Sequence, residues 1–157
     1  MIMEELMTGL PDLQQMIRMV IRLSIAMIFG AVVGAQRESS GKPAGVRTHM
    51  LVAMGAALFV IAPLEVSMNL DGLSRVIQGI VTGIGFIGGG AILKLQEQRV
   101  VEGLTTAAGI WMTAAIGIAV GLGRLGLALM GMILTWITLA IIGRMEGWLS
   151  GSDAGPQ

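Results

Sequence analysis

One stretch limits what the rest of the chain can become. Asp71–Leu93 reads DGLSRVIQGIVTGIGFIGGGAIL. After Arg75 it runs for about 18 residues without a charge or a proline. Gly79, Gly83, Gly85, Gly88, Gly89 and Gly90 all lie within that run. In water this is a poor helix, since each interior glycine costs about 1 kcal/mol against alanine. In hydrocarbon the backbone must bond to itself, so helix is close to obligatory, and glycine lets a neighbouring helix approach closely. At 100° per residue, Arg75, Gln78, Thr82, Gly85, Gly89 and Leu93 fall near one face. That face has a polar head and a smooth groove below it.

The remaining sequence agrees with a bilayer setting. Hydrophobic residues make up 54% and charged residues 13%, against about 25% charged in soluble domains. The mean hydropathy is +0.81. The fold expected is all-α, a Gly/Ala-packed bundle of about five transmembrane helices. No cysteine is present, so disulfides, thiol catalysis and thiolate metal sites are excluded. The formal net charge of zero argues against a nucleic-acid partner; the expected surroundings are lipid.

Residues 1–16, with Glu4, Glu5, Asp12 and a break at Pro11, suggest an interfacial segment and not a cleavable signal. The spans are expected at about Ile17–Ala35, His49–Leu64, Arg75–Leu93, Thr105–Leu122 and Leu125–Gly143. Residues 144–157 form a cytoplasmic tail, partly disordered. Arg37, Lys42, Arg47, Lys94, Arg99 and Arg144 fall on one side. This bias favours an N-terminus outside and a C-terminus in the cytoplasm. A parallel two-helix repeat is one reading of the pattern: Arg22 precedes Gly30 as Arg75 precedes Gly83, and Gly45–Thr48 resembles Gly103–Thr106. Chance likeness between Gly/Ala-rich spans is the other.

Small residues four apart, Gly30/Gly34, Ala53/Ala57, Gly79/Gly83 and Gly117/Gly121, predict tight crossings. The glycine groove of span three, with Gly79, Gly83, Gly85, Gly88 and Gly89, is expected to receive span four and Trp111. Gly83-x-Gly85-x-x-Gly88 matches a dinucleotide fingerprint formally, but no strand precedes it. Polar groups at membrane depth are the stronger signals, because a charge near the bilayer centre costs about 2.5–3.5 kcal/mol. Arg22, Asp71, Arg75 and Gln78 are therefore candidates for one polar site. Arg22 could instead snorkel to the interface. A second cluster, Arg37, Glu38, Arg47, Thr48 and His49 with Thr105 and Thr106, would lie at the cytoplasmic side. It is either a pocket for an anion or partner segment, or an ordinary interfacial cluster in which the threonines cap span four. No catalytic constellation is present. A lone histidine gives no metal site, and no cofactor is expected.

At these residues the chain resembles the MgtC/SapB family of bacterial inner-membrane proteins. The matching stretches are Arg22–Glu38, Lys42–Phe59, Arg75–Leu93 and Val101–Gly123, within about residues 17–143. The resemblance implies a multi-pass inner-membrane protein linked to growth at low magnesium and, in pathogens, to survival inside macrophages. It also implies a regulator acting through membrane partners, the F-type ATP synthase among them, rather than a magnesium pump. Many members carry a soluble C-terminal domain, which is not expected here because the chain stops at Gln157. A homodimer is expected from the glycine surfaces. The alternative function is a transporter or channel for a small ion or metabolite. Magnesium would need carboxylates, and Glu38, Glu65, Asp71 and Glu146 come from different levels.

Overall fold

A computed structural model describes residues 12–95 and 100–142. The first helix, α1, is Leu13–Ser39. Gln15 turns back to accept the Asp12 backbone N–H at 2.9 Å and so satisfies a free donor at the helix start. Leu13–Met16 are thus part of this continuous helix, not of a separate interfacial segment. Helix α2 is Val46–Glu65, with Pro63 in its last turn. Helix α3 is Leu70–Gly90. It starts five residues before the expected span because the Asn69 side chain accepts from Gly72 N–H at 2.8 Å. It also stops early, after Gly88–Gly90, and Leu93 enters a short strand.

That strand, β1 (Leu93–Leu95), pairs antiparallel with β2 (Val100–Glu102). The hairpin was not legible in the sequence. Helix α4 follows as Leu104–Gly121, and α5 as Leu125–Ile137, continued by a π-helical turn over Thr138–Ile142. Helices α1 to α4 are long and apolar enough to cross a membrane, while the apolar run of α5, Leu125–Ile141, is shorter. The expected helix bundle is therefore present. The remaining N-terminal segment and the C-terminal tail, with Trp148, lie outside the described residues.

Helix α2 packs on α1 and α4 at backbone distance. A Cβ on Gly34 would lie 2.6 Å from Val46 Cα, and one on Gly30 would strike the His49 carbonyl. On the other side, a Cβ on Gly117 would strike the Ala53 carbonyl, and one on Gly121 would lie 2.8 Å from Ala57 O. Gly30/Gly34, Ala53/Ala57 and Gly117/Gly121 are thus all used as crossings. The core between them holds Ala26, Val33, Ala53, Ala57, Ile116 and Val120.

Helix α3 is attached differently. It packs chiefly on α4, less on α2, and has no substantial contact with α1. Only 6% of its apolar window is buried, against 56% for α4. Leu73, Ile84 and Gly88 make its buried face. A Cβ on Gly88 would sit 3.6 Å from Ala107 Cβ, whereas Gly79, Gly83, Gly85 and Gly89 have nothing within 4 Å. The glycine groove does not receive α4, and Trp111 is nearly half exposed. The physical reason is the direction of the contact: α3 meets α4 through Ile84, which joins Ala56, Ile110 and Ala114. Gly79 and Gly83 instead line an open apolar groove of about 500 Å³ between α3 and α2, floored by Ala56 and Ala114.

The two proposed repeats agree at their second helices, which both start from a glycine, Gly45 and Gly103, that has no side chain to cap them. They differ in packing, since Gly30 is a close crossing and Gly83 is open.

Candidate functional site

Polar side chains at one end of the bundle come from three helices. Arg37 lies in the last turn of α1 and is 5% exposed. Its Nη2 donates to the Thr106 hydroxyl in the first turn of α4, at 2.6 Å. Arg37 Nε is buried without a hydrogen-bond partner. The guanidinium therefore stands at the N-terminal end of α4, where the helix dipole is itself positive. A cation there gains nothing from the α4 dipole; it is favoured by the negative end of α1, in whose last turn it lies, and by the Thr106 oxygen.

His49 lies in the first turns of α2 and is fully buried. Its Nδ1 is 2.7 Å from the Thr113 hydroxyl, which is also 2.8 Å from Gly109 O one turn back on α4. The hydroxyl has one proton. Either the hydroxyl donates to the carbonyl and accepts from His49 Nδ1–H, or it donates to an unprotonated Nδ1. His49 Nε2 is buried without a hydrogen-bond partner. The ring lies over Gly109, where an added Cβ would come 3.7 Å from Cε1. Thr106, Gly109 and Thr113 share one face of α4, so the hydroxyls that meet the arginine and the imidazole lie about two turns apart along it.

The rest of the expected cluster does not join them. Glu38 is exposed; its Oε2 accepts from Val46 N–H at 3.0 Å and so caps the start of α2. Arg47 and Thr105 are exposed and Thr48 is half-buried. The cap of α4 is Gly103, not a threonine, because φ is +92° there and the main chain reverses into the helix. Thr113 and Gly109 were missed. Their spacing from Thr106 along α4 was the available signal.

The second expected site is not assembled either. Arg22 is half-buried and its Nη1 donates to Gly121 O at 3.2 Å. It serves the free carbonyls and negative dipole end of α4. Asp71, Arg75 and Gln78 are exposed on α3, which does not pack on α1. The four residues share an end of the bundle but not a cavity. One further polar contact joins α1 to α5: Gln36 Nε2 donates to Leu139 O at 3.0 Å, inside the π-helical turn.

A sequence model matches 126 of these residues, 23–148, and it is that of the MgtC family. The chain belongs to the MgtC family. Three relatives show the extent of the likeness. Protein SrpB of Synechococcus elongatus is 44% identical over 144 residues, covering 83% of this chain and 79% of the relative. "Putative magnesium transporter YhiD" of Escherichia coli (strain K12) is 44% identical over 129 residues, 78% of this chain and 59% of the relative. Protein MgtC of Salmonella typhimurium (strain LT2) is 42% identical over 115 residues, 73% of this chain and 48% of the relative. The chain thus spans about half the length of the Salmonella protein. No solved structure matches. The MgtC-family match takes in α1 from Leu23 onward, the whole of α2 to α5, and both buried threonines of the Arg37–His49 cluster.

Proposed function

We propose that this MgtC-family membrane protein is a regulator in the bacterial inner membrane, with its N-terminus outside and its C-terminus in the cytoplasm. It serves adaptation to low magnesium and, in a host, intracellular survival. It acts by contact with a membrane partner, for which the F-type ATP synthase is the candidate implied by the resemblance. One observation supports a regulator over a conduit. Four buried or half-buried polar side chains join helices: Arg22 to Gly121, Arg37 to Thr106, His49 to Thr113, Gln36 to Leu139. Between them the helices touch backbone to backbone at Gly30, Gly34, Gly117 and Gly121. Such an interior favours a rigid body that docks.

The transport reading has its own support in the name of the Escherichia coli relative. Three measurements separate the two. A regulator copurifies with its partner from native membranes, its deletion impairs growth at limiting magnesium, and the reconstituted protein passes no magnesium, phosphate or protons. Flux through vesicles holding this chain alone would overturn the proposal.

A further inference from the structure

Helix α3 turns its most polar face away from the bundle. Asp71, Arg75, Gln78, Thr82, Gly85 and Gly89 are all exposed. Successive members are four, three, four, three and four apart, the interval of a helix-pairing seam. The buried residues Leu73 and Ile84 lie on the opposite face. A carboxylate, a guanidinium and an amide thus face outward, beside exposed apolar residues such as Phe86, while Leu73 and Ile84 meet protein. Arg75 can snorkel, but Gln78 is two turns inside the helix and shorter. At Gly85 and Gly89 an added Cβ would meet nothing within 4 Å. The lower half of the seam therefore offers bare backbone, and the upper half offers unmatched charge.

We propose that this seam pairs with the same seam of a second copy of the chain. The two α3 helices would lie parallel about a two-fold axis along the membrane normal. Every copy enters the membrane with the same orientation, so two α3 helices run parallel and set each residue near its own copy. The seam is complementary to itself in that arrangement. Asp71 of one copy faces Arg75 of the other, twice. The Gln78 amide both donates and accepts, so it pairs with its own kind. Thr82 packs below it, and Gly85 and Gly89 let the backbones close. A different membrane helix would need an opposite charge order to do the same.

The chain has no cysteine, so single cysteines report cleanly. In vesicles holding only this protein, Gln78→Cys, Thr82→Cys, Gly85→Cys and Gly89→Cys should each form a disulfide-linked dimer. Val20→Cys and Leu134→Cys, exposed on α1 and α5, should not. Arg75→Asp replaces the crossed pairs with four acids and should weaken dimerisation by about tenfold or more. Asp71→Arg with Arg75→Asp should restore it. Restoration shows that the single variant still folds. Equal linking at Val20 and Leu134 overturns the proposal. So does a dimer that Arg75→Asp leaves unchanged. A purified chain that stays monomeric while Gln78→Cys links to another protein in native membranes also overturns it.

Discussion

Arg37 and Thr106 are 69 residues apart and meet at 2.6 Å, one from the last turn of α1 and one from the first turn of α4. The bond ties a buried guanidinium to a hydroxyl of the neighbouring helix. Thr106→Val keeps the shape and removes that acceptor. Loss of a hydrogen bond to a buried charge should cost about 1.5–3 kcal/mol. Thr106→Ser should retain most of it. Unfolding of the purified protein in a denaturing detergent, followed by helix content, gives both values.

The glycines separate into two kinds that a single substitution distinguishes. Gly117→Val drives a branched side chain into the Ala53 backbone and should destabilise by about 1–3 kcal/mol or more. Gly79→Ala meets open space and should be neutral, or stabilising by up to about 1 kcal/mol through helix propensity. Melting of the two variants in the same detergent should move in opposite directions or differ clearly in size.

Arg22 acts at the far end of α4. Arg22→Gln keeps a donor within reach of Gly121 O but removes the charge from the negative end of the helix dipole. The expected loss is about 0.3–2 kcal/mol, and Arg22→Lys should lose less. Hydrogen exchange of the amides near Gly121 should rise in Arg22→Gln and stay low in Arg22→Lys.

Gly103→Ala tests the junction between hairpin and helix. Its φ of +92° is outside the range an L side chain favours, and an added Cβ would strike the Ala91 carbonyl. Strain of about 1–3 kcal/mol is expected. Thermal melting should fall accordingly, while Thr105→Ala, which removes an exposed side chain at the next turn, should change it little.

The helices were legible because hydrocarbon allows few alternatives and the apolar runs are long. The Gly30/Gly34 and Gly117/Gly121 crossings were legible for the same reason: spacing of four places both glycines on one face. Which glycine face meets which neighbour was not. Gly83 and Gly117 have similar local sequence, and tertiary direction alone makes one open and the other closed. Arg37, His49 and Thr106 were found as polar residues at one level, but the pairing of His49 needed Thr113, seven residues past Thr106. The face of α3 that carries Arg75 and Gln78 followed from their spacing, and it is an exposed one that Asp71 extends. Arg22 left that group because the free carbonyl of Gly121, invisible in a side-chain reading, is its partner. The hairpin escaped because its strands are three residues each, too short for alternation to show.

The contrast between α2 and α3 has a mechanical meaning. Where backbones touch, as at Gly30, Gly34, Gly117 and Gly121, there is no side chain to deform, so α1, α2 and α4 transmit a push to one another without slack. Helix α3 sits beside that wedge, packed on α4, with an open groove between it and α2 and a hairpin leading from its end to α4. The groove and the outward seam are borne by the same helix, so a tilt of α3 would change both together without a change at the Gly30, Gly34, Gly117 and Gly121 contacts.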